Sequence, residues 1–75
     1  MIRKYIQITS LNDVYEFLRY TTEVNGDITL IKGKYAVDAK SILGVFSIDM
    51  SDKITIEYPE SAKEFDKYIQ QFVVE

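Results

Sequence analysis

Gly33-Lys34-Tyr35-Ala36-Val37-Asp38-Ala39-Lys40-Ser41-Ile42-Leu43-Gly44-Val45-Phe46-Ser47 changes character twice. Lys32-Gly33-Lys34 reads as a tight turn. Tyr35 to Val37 then reads as a strand, which pairs with the preceding apolar run Ile28, Leu30 and Ile31 as a hairpin. Ser41 follows, a residue suited to cap a helix because its hydroxyl accepts from a free backbone N–H. Ser41 to Phe46 is too short to show a period. It has room for one or two helical turns, weakened by Gly44. A hairpin running into a short helix implies a sheet with helices packed on it.

The flanking sequence agrees. Residues 2–9 alternate, with Ile2, Ile6 and Ile8 on one face and Arg3, Tyr5, Gln7 and Thr9 on the other, and Lys4 interrupting the apolar side. That is the pattern of a half-buried strand. Ser10, with Asp13 three residues on, or alternatively Asn12, is placed to cap the helix that follows. Val14, Phe17, Leu18, Thr21 and Val24 form its apolar stripe. Asn25-Gly26 is read as its stop. Lys53 to Tyr58 alternates again, with Ile54, Ile56 and Tyr58 inward, and Pro59 ends it. Ser61-Ala62-Lys63-Glu64 matches a capping box. The last helix carries Ala62, Phe65, Ile69, Phe72 and Val73 on one stripe.

The order is β-α-β-β-α-β-α over one domain, residues 1–75. One-sided helices and half-buried strands predict an α+β fold in two layers. A four-stranded, mostly antiparallel sheet is covered by helices on one face.

Composition narrows the chemistry. The 75 residues include no cysteine and no histidine. Disulfides, thiolate metal sites and Ser-His or Cys-His nucleophile pairs are therefore excluded. The net charge is −3, with nine basic residues scattered from Arg3 to Lys67. That speaks against nucleic acid, whose backbone needs a dense basic face. The three glycines stand apart and make no phosphate loop. Asp49 and Asp52 flank Met50-Ser51 and read as turn formers, short of a calcium site. No run of roughly 18 apolar residues is present to span a membrane. Without cysteines or a leader pattern, a cytoplasmic location is expected. No cofactor is expected.

At Gly33-Lys34 and at Val37 to Ser47 the chain resembles the HPr phosphocarrier family. That family places a Gly-Lys hairpin before a Lys-Ser-Ile-Met/Leu-Gly-Val segment opening its short second helix. The β-α-β-β-α-β-α order is similar too. The resemblance covers most of the chain in element order, but its specific motif is confined to about residues 33–47.

The departure carries as much weight. The family's active site is a Gly-x-His-Ala-Arg-Pro-Ala segment where the first strand meets the first helix. Here the junction reads Thr9-Ser10-Leu11-Asn12-Asp13-Val14-Tyr15, without the His, Arg or Pro, and it looks shorter. Imidazole accepts and releases a phosphoryl group readily, so the phosphoryl acceptor has no counterpart here. Asp13 offers an acyl phosphate in principle. An acid at a helix start more simply caps it or complements its dipole.

Ser41 does match the motif. The resemblance implies a serine phosphorylated by a dedicated kinase, after which the protein binds a transcriptional regulator. A phosphate there meets free N–H groups, and Lys40 is adjacent. The plain alternative is that Ser41 is only a cap. The resemblance also implies that Ile42, Leu43 and Phe46 lie on the surface and dock partners. In a helix this short Val45 can face the core while those three cannot all do so; the plain alternative is that a loop or the rearranged junction covers them. The expected function is thus a non-enzymatic regulatory module docking proteins of the HPr-binding type (a kinase, a transcriptional regulator or a phosphotransferase-system enzyme) through Lys40, Ile42, Leu43 and Phe46. Ser41 would be its switch. Two alternatives stand beside it. One is a residual phosphocarrier with a non-histidine acceptor. The other is a homo-oligomeric scaffold whose apolar patch seals a symmetric dimer.

Overall fold

In the computed structural model, which describes residues 1–75, the alternating segments become strands: β1 (Ile2–Ile6), β2 (Thr29–Lys32), β3 (Tyr35–Asp38) and β4 (Ile54–Tyr58). β4 lies at the centre because its whole inward row, Ile54, Ile56 and Tyr58, is buried. It pairs antiparallel with β1 on one side, Ile6 opposite Ile54, and with β2 on the other, Leu30 opposite Ile56. β3 joins β2 as a hairpin in which Lys32 faces Tyr35. Gly33 takes φ +59 while no other residue type has positive φ. A positive φ at only the first loop position marks a type II′ turn, whose twist suits a two-residue hairpin.

Three helices follow: α1 (Leu11–Thr22), α2 (Ile42–Phe46) and α3 (Lys63–Ile69). Their apolar residues Val14, Phe17, Leu18, Val45, Phe65 and Ile69 share one core with Ile6, Leu30, Ile56 and Tyr58. The helices therefore cover a single face. The opposite face is solvated, with an Arg3–Glu57 ion pair at 2.7 Å and the Lys53 ammonium 4.5 Å from the Tyr5 ring centre. Aromatic rings weld α1 to α3: Tyr20 and Tyr68 stack at 3.8 Å and Phe17 meets Phe65 at 6.0 Å. The buried Thr21 hydroxyl lies 2.8 Å from the Leu18 carbonyl and 3.1 Å from that of Ala39. It thus ties α1 to the connection leading into α2.

Four points differ from the expectation. The sheet has five strands in the order β3-β2-β4-β1-β5, not four. Phe72 and Val73 leave the last helix. Gln70–Phe72 tighten into a 3-10 turn and β5 (Val73–Val74) adds to the edge of β1. Two adjacent valines lose side-chain freedom in a helix and gain a partner on a sheet edge, and Gln7 N–H donates to the Phe72 carbonyl at 3.0 Å. The capping box does not form. The residue before α3 is Ala62, with no side-chain cap, because Ser61 is held in the turn after Pro59, where its carbonyl accepts from Lys63 N–H at 2.9 Å. Finally, α1 ends at Thr22, so Val24 lies beyond it and Gly26, at φ +129, bends the loop rather than terminating the helix.

Candidate functional site

The Val37 to Ser47 segment is organised from Asp38. Its carboxylate accepts the Lys40 N–H at 2.9 Å and its carbonyl accepts the Ser41 N–H at 3.1 Å. This turn delivers Ser41 as the residue before α2. The Ser41 hydroxyl accepts the Gly44 N–H at 3.1 Å, satisfying one of the donors that a helix start leaves free. Gly44 then sits against β3. A Cβ on it would lie 2.9 Å from the Asp38 carbonyl oxygen. The residue that weakens the helix on propensity is thus the one that lets α2 approach the strand.

That approach orients α2. Val45 is fully buried, while Ile42 is 57%, Leu43 82% and Phe46 46% exposed. The Phe46 ring rests on Tyr15 of α1, with centroids 5.6 Å apart and planes inclined at 54°. Leu11, one turn before Tyr15, lines the same surface hollow as Phe46, and both Leu11 and Tyr15 are exposed. The apolar surface therefore spans α1 and α2. Leu11 and Tyr15 were missed in the sequence reading. Their signal was two apolar residues at i and i+4, off the Val14–Phe17–Leu18–Thr21 stripe.

Lys40 is elsewhere. Its ammonium donates to the Val24 carbonyl at 2.6 Å, partly buried beyond the end of α1. The charge thus serves the loop after α1 rather than the Ser41 hydroxyl.

The β1–α1 junction faces the loop before β4. Ile8 N–H donates to the Met50 carbonyl at 2.8 Å, and the Gln7 amide to that of Ser51 at 2.6 Å. The hollow between them is lined by Ser10, Leu11, Phe46, Ser47, Asp49 and Met50 among others, with no basic side chain. The Asp49 carboxylate is held below its ordinary pKa by the Ser51 hydroxyl and N–H, so it places a negative charge there. Asp13 sits in the first turn of α1, and neither it nor Ser10 makes a side-chain cap. Asp52 pairs with Lys32, whose pKa is raised by that contact. Both loop aspartates are thus engaged in turn and ion-pair roles. No cluster of three metal-ligating side chains is present, and no helix is long and apolar enough to cross a membrane.

No protein-family model and no curated protein matches the chain. Solved structures do. A phosphocarrier protein HPr from Bacillus anthracis superposes with a TM-score of 0.72 at 25% identity, covering 97% of this chain and 96% of its own. HPr-C-His from Thermoanaerobacter tengcongensis gives 0.72 at 22% identity, covering 95% and 93%. With its helices on one face of an antiparallel sheet and the same extent from end to end, this histidine-free chain has the fold of the HPr phosphocarrier proteins.

Proposed function

We propose that the protein is an HPr-like protein-binding module that regulates partners rather than carrying a phosphoryl group. The observation behind this reading is the contrast between two neighbouring sites. At the junction, a phosphoryl carrier needs a nucleophile with cations around the incoming charge. The chain offers no imidazole there, no basic side chain, and a charged Asp49. Next to it, α2 keeps Leu43, Ile42 and Phe46 on the surface and continues onto Leu11 and Tyr15. A contiguous exposed apolar patch is costly to keep unless something docks on it.

The partners are proteins of the kind that bind HPr. Ile42, Leu43 and Phe46 supply the apolar contact, and Lys40 supports it by anchoring the start of α2 to the Val24 carbonyl. Ser41 is the switch. Phosphorylation would replace a capping hydroxyl with an anion whose oxygens still accept from the Gly44 N–H.

The test is a binding assay against HPr kinase, the regulator that recognises phosphorylated HPr, and enzyme I, using the wild type, Ile42→Asp and Leu43→Asp. Binding that is lost in both variants while their circular dichroism is unchanged is the expected result. Binding undiminished in both would sink the reading. Incubation with ATP and HPr kinase, read by intact mass with Ser41→Ala as control, tests the switch separately. A hydroxylamine-sensitive adduct from enzyme I and phosphoenolpyruvate would instead favour the phosphocarrier alternative.

A further inference from the structure

One edge of the sheet leaves backbone groups without a partner, although the start of α2 packs against its Asp38 end. β3 is the outermost strand beyond β2. Tyr35, Ala36 and Asp38 on it are exposed. In an antiparallel hairpin, alternate residues turn their N–H and C=O toward the partner strand and the others turn them outward. The Lys32–Tyr35 pair closes the two-residue turn, and the Ala39 N–H donates to the Ile28 carbonyl at 2.9 Å. Together these set the parity. Tyr35 and Val37 point their backbone groups at β2, while Ala36 and Asp38 point theirs outward. The Asp38 carbonyl is taken by Ser41 N–H. The Ala36 N–H, the Ala36 C=O and the Asp38 N–H remain free.

We propose that β3 pairs antiparallel with β3 of a second copy of this chain, forming a symmetric dimer with a continuous sheet across the two molecules. The charges select the register. Centring the two-fold on Ala36 sets Ala36 opposite Ala36, where each N–H donates to the other carbonyl. It also sets Lys34 of each copy opposite Asp38 of the other, and Asp38 N–H donates to the Lys34 carbonyl. Lys34 makes no ion pair within its own chain. Tyr35, 75% exposed in the single chain, then lies across from the half-buried Val37 of the second copy. Centring on Val37 instead sets Lys34 opposite Lys40, and centring on Asp38 sets that carboxylate opposite itself. Opposite charges directly across strands stabilise pairing and like charges oppose it. Only the Ala36-centred register is complementary. An edge with an uncompensated row of one charge would have kept copies apart. This pairing uses the backbone of β3 and not the side chains of Ile42, Leu43 or Phe46.

Sedimentation equilibrium from micromolar to millimolar protein tests the dimer, with amide hydrogen exchange read by NMR at both ends of that range. The expected result is a monomer–dimer equilibrium in which the Ala36 and Asp38 amides gain protection as concentration rises. Lys34→Glu, which faces Asp38 with a like charge, should weaken the dimer about tenfold. Ala36→Pro, which removes an outward N–H that the β2 ladder does not use, should abolish it. Ile42→Asp should leave it unchanged. A monomer throughout the range overturns the proposal. So does a dimer whose Ala36 amide stays unprotected or which Ile42→Asp disrupts, since association would then run through the α2 patch.

Discussion

Gly44 shows how far a single residue can depart from its propensity. In an isolated helix it costs about 1 kcal/mol against alanine. Here the missing Cβ is what admits the Asp38 carbonyl, which a methyl group would meet at 2.9 Å. Gly44→Ala is therefore expected to destabilise by about 1–3 kcal/mol, as overpacking does, despite raising helix propensity. A urea midpoint lower than wild type with an unchanged slope checks it. Ser41→Ala is expected to cost about 1 kcal/mol through loss of the cap, so that variant can still serve as a folded control for phosphorylation. Tyr58 makes a different kind of contribution. Its hydroxyl donates to the Asp66 carboxylate at 2.6 Å. Tyr58→Phe should cost about 1.5–3 kcal/mol, the range for a hydrogen bond to a charged acceptor.

Within α2 Val45 alone is buried while Ile42, Leu43 and Phe46 are exposed, and stability should follow that division. Val45→Ala removes fully buried methyl groups and is expected to cost about 2 kcal/mol. Ile42→Asp and Leu43→Asp touch exposed positions and should stay within about 0.5 kcal/mol of wild type. Thermal unfolding of the three variants side by side checks this. The same pattern would separate a docking surface from a packing one. The strands, α1 and the hairpin were legible in the sequence because each carries a full period of apolar residues. Ile54-Thr55-Ile56-Glu57-Tyr58 reads its own burial directly. The end of the chain was not legible. Phe72 and Val73 fit the helical stripe of Phe65 and Ile69, and only the free edge of β1, supplied by residues some seventy positions earlier, draws them into β5. The capping box failed for a related reason, since the turn after Pro59 held the backbone of Ser61.

For the molecule as a whole, the aromatic cluster between α1, α3 and β4 links stability to alkaline pH. Burial, then the Asp66 contact, raises the Tyr58 pKa above its ordinary value of 10.0. Tyr68 is raised by burial and by the carboxylates of Glu16 and Asp13. In the unfolded chain both hydroxyls ionise near pH 10, while in the folded protein they stay protonated. Their contribution is thus complete below about pH 10 and declines as pH rises beyond it. Urea midpoints at pH 8 and pH 11 should fall for the wild type and fall less for Tyr58→Phe. Equal falls would assign the alkaline loss elsewhere. The Tyr68 hydroxyl is buried without a partner in the protein, so Tyr68→Phe should be neutral or stabilising at pH 8.

What the sequence determined by itself follows from residue type and local period: an α+β domain, no histidine or cysteine chemistry, a Ser41-capped short helix, and strands whose inward faces are written in their alternation. These depend on contacts within a few residues, where propensity and periodicity act. What only the tertiary structure decided depends on which distant segments meet. Gly44 became a packing contact because Asp38 lies beneath it. Lys40 turned to the Val24 carbonyl because α1 ends there. Leu11 and Tyr15 joined the patch because Phe46 is laid against them. β3 became the outermost strand, with the Ala36 N–H and C=O left without a partner, because no later strand of the chain adds beyond it.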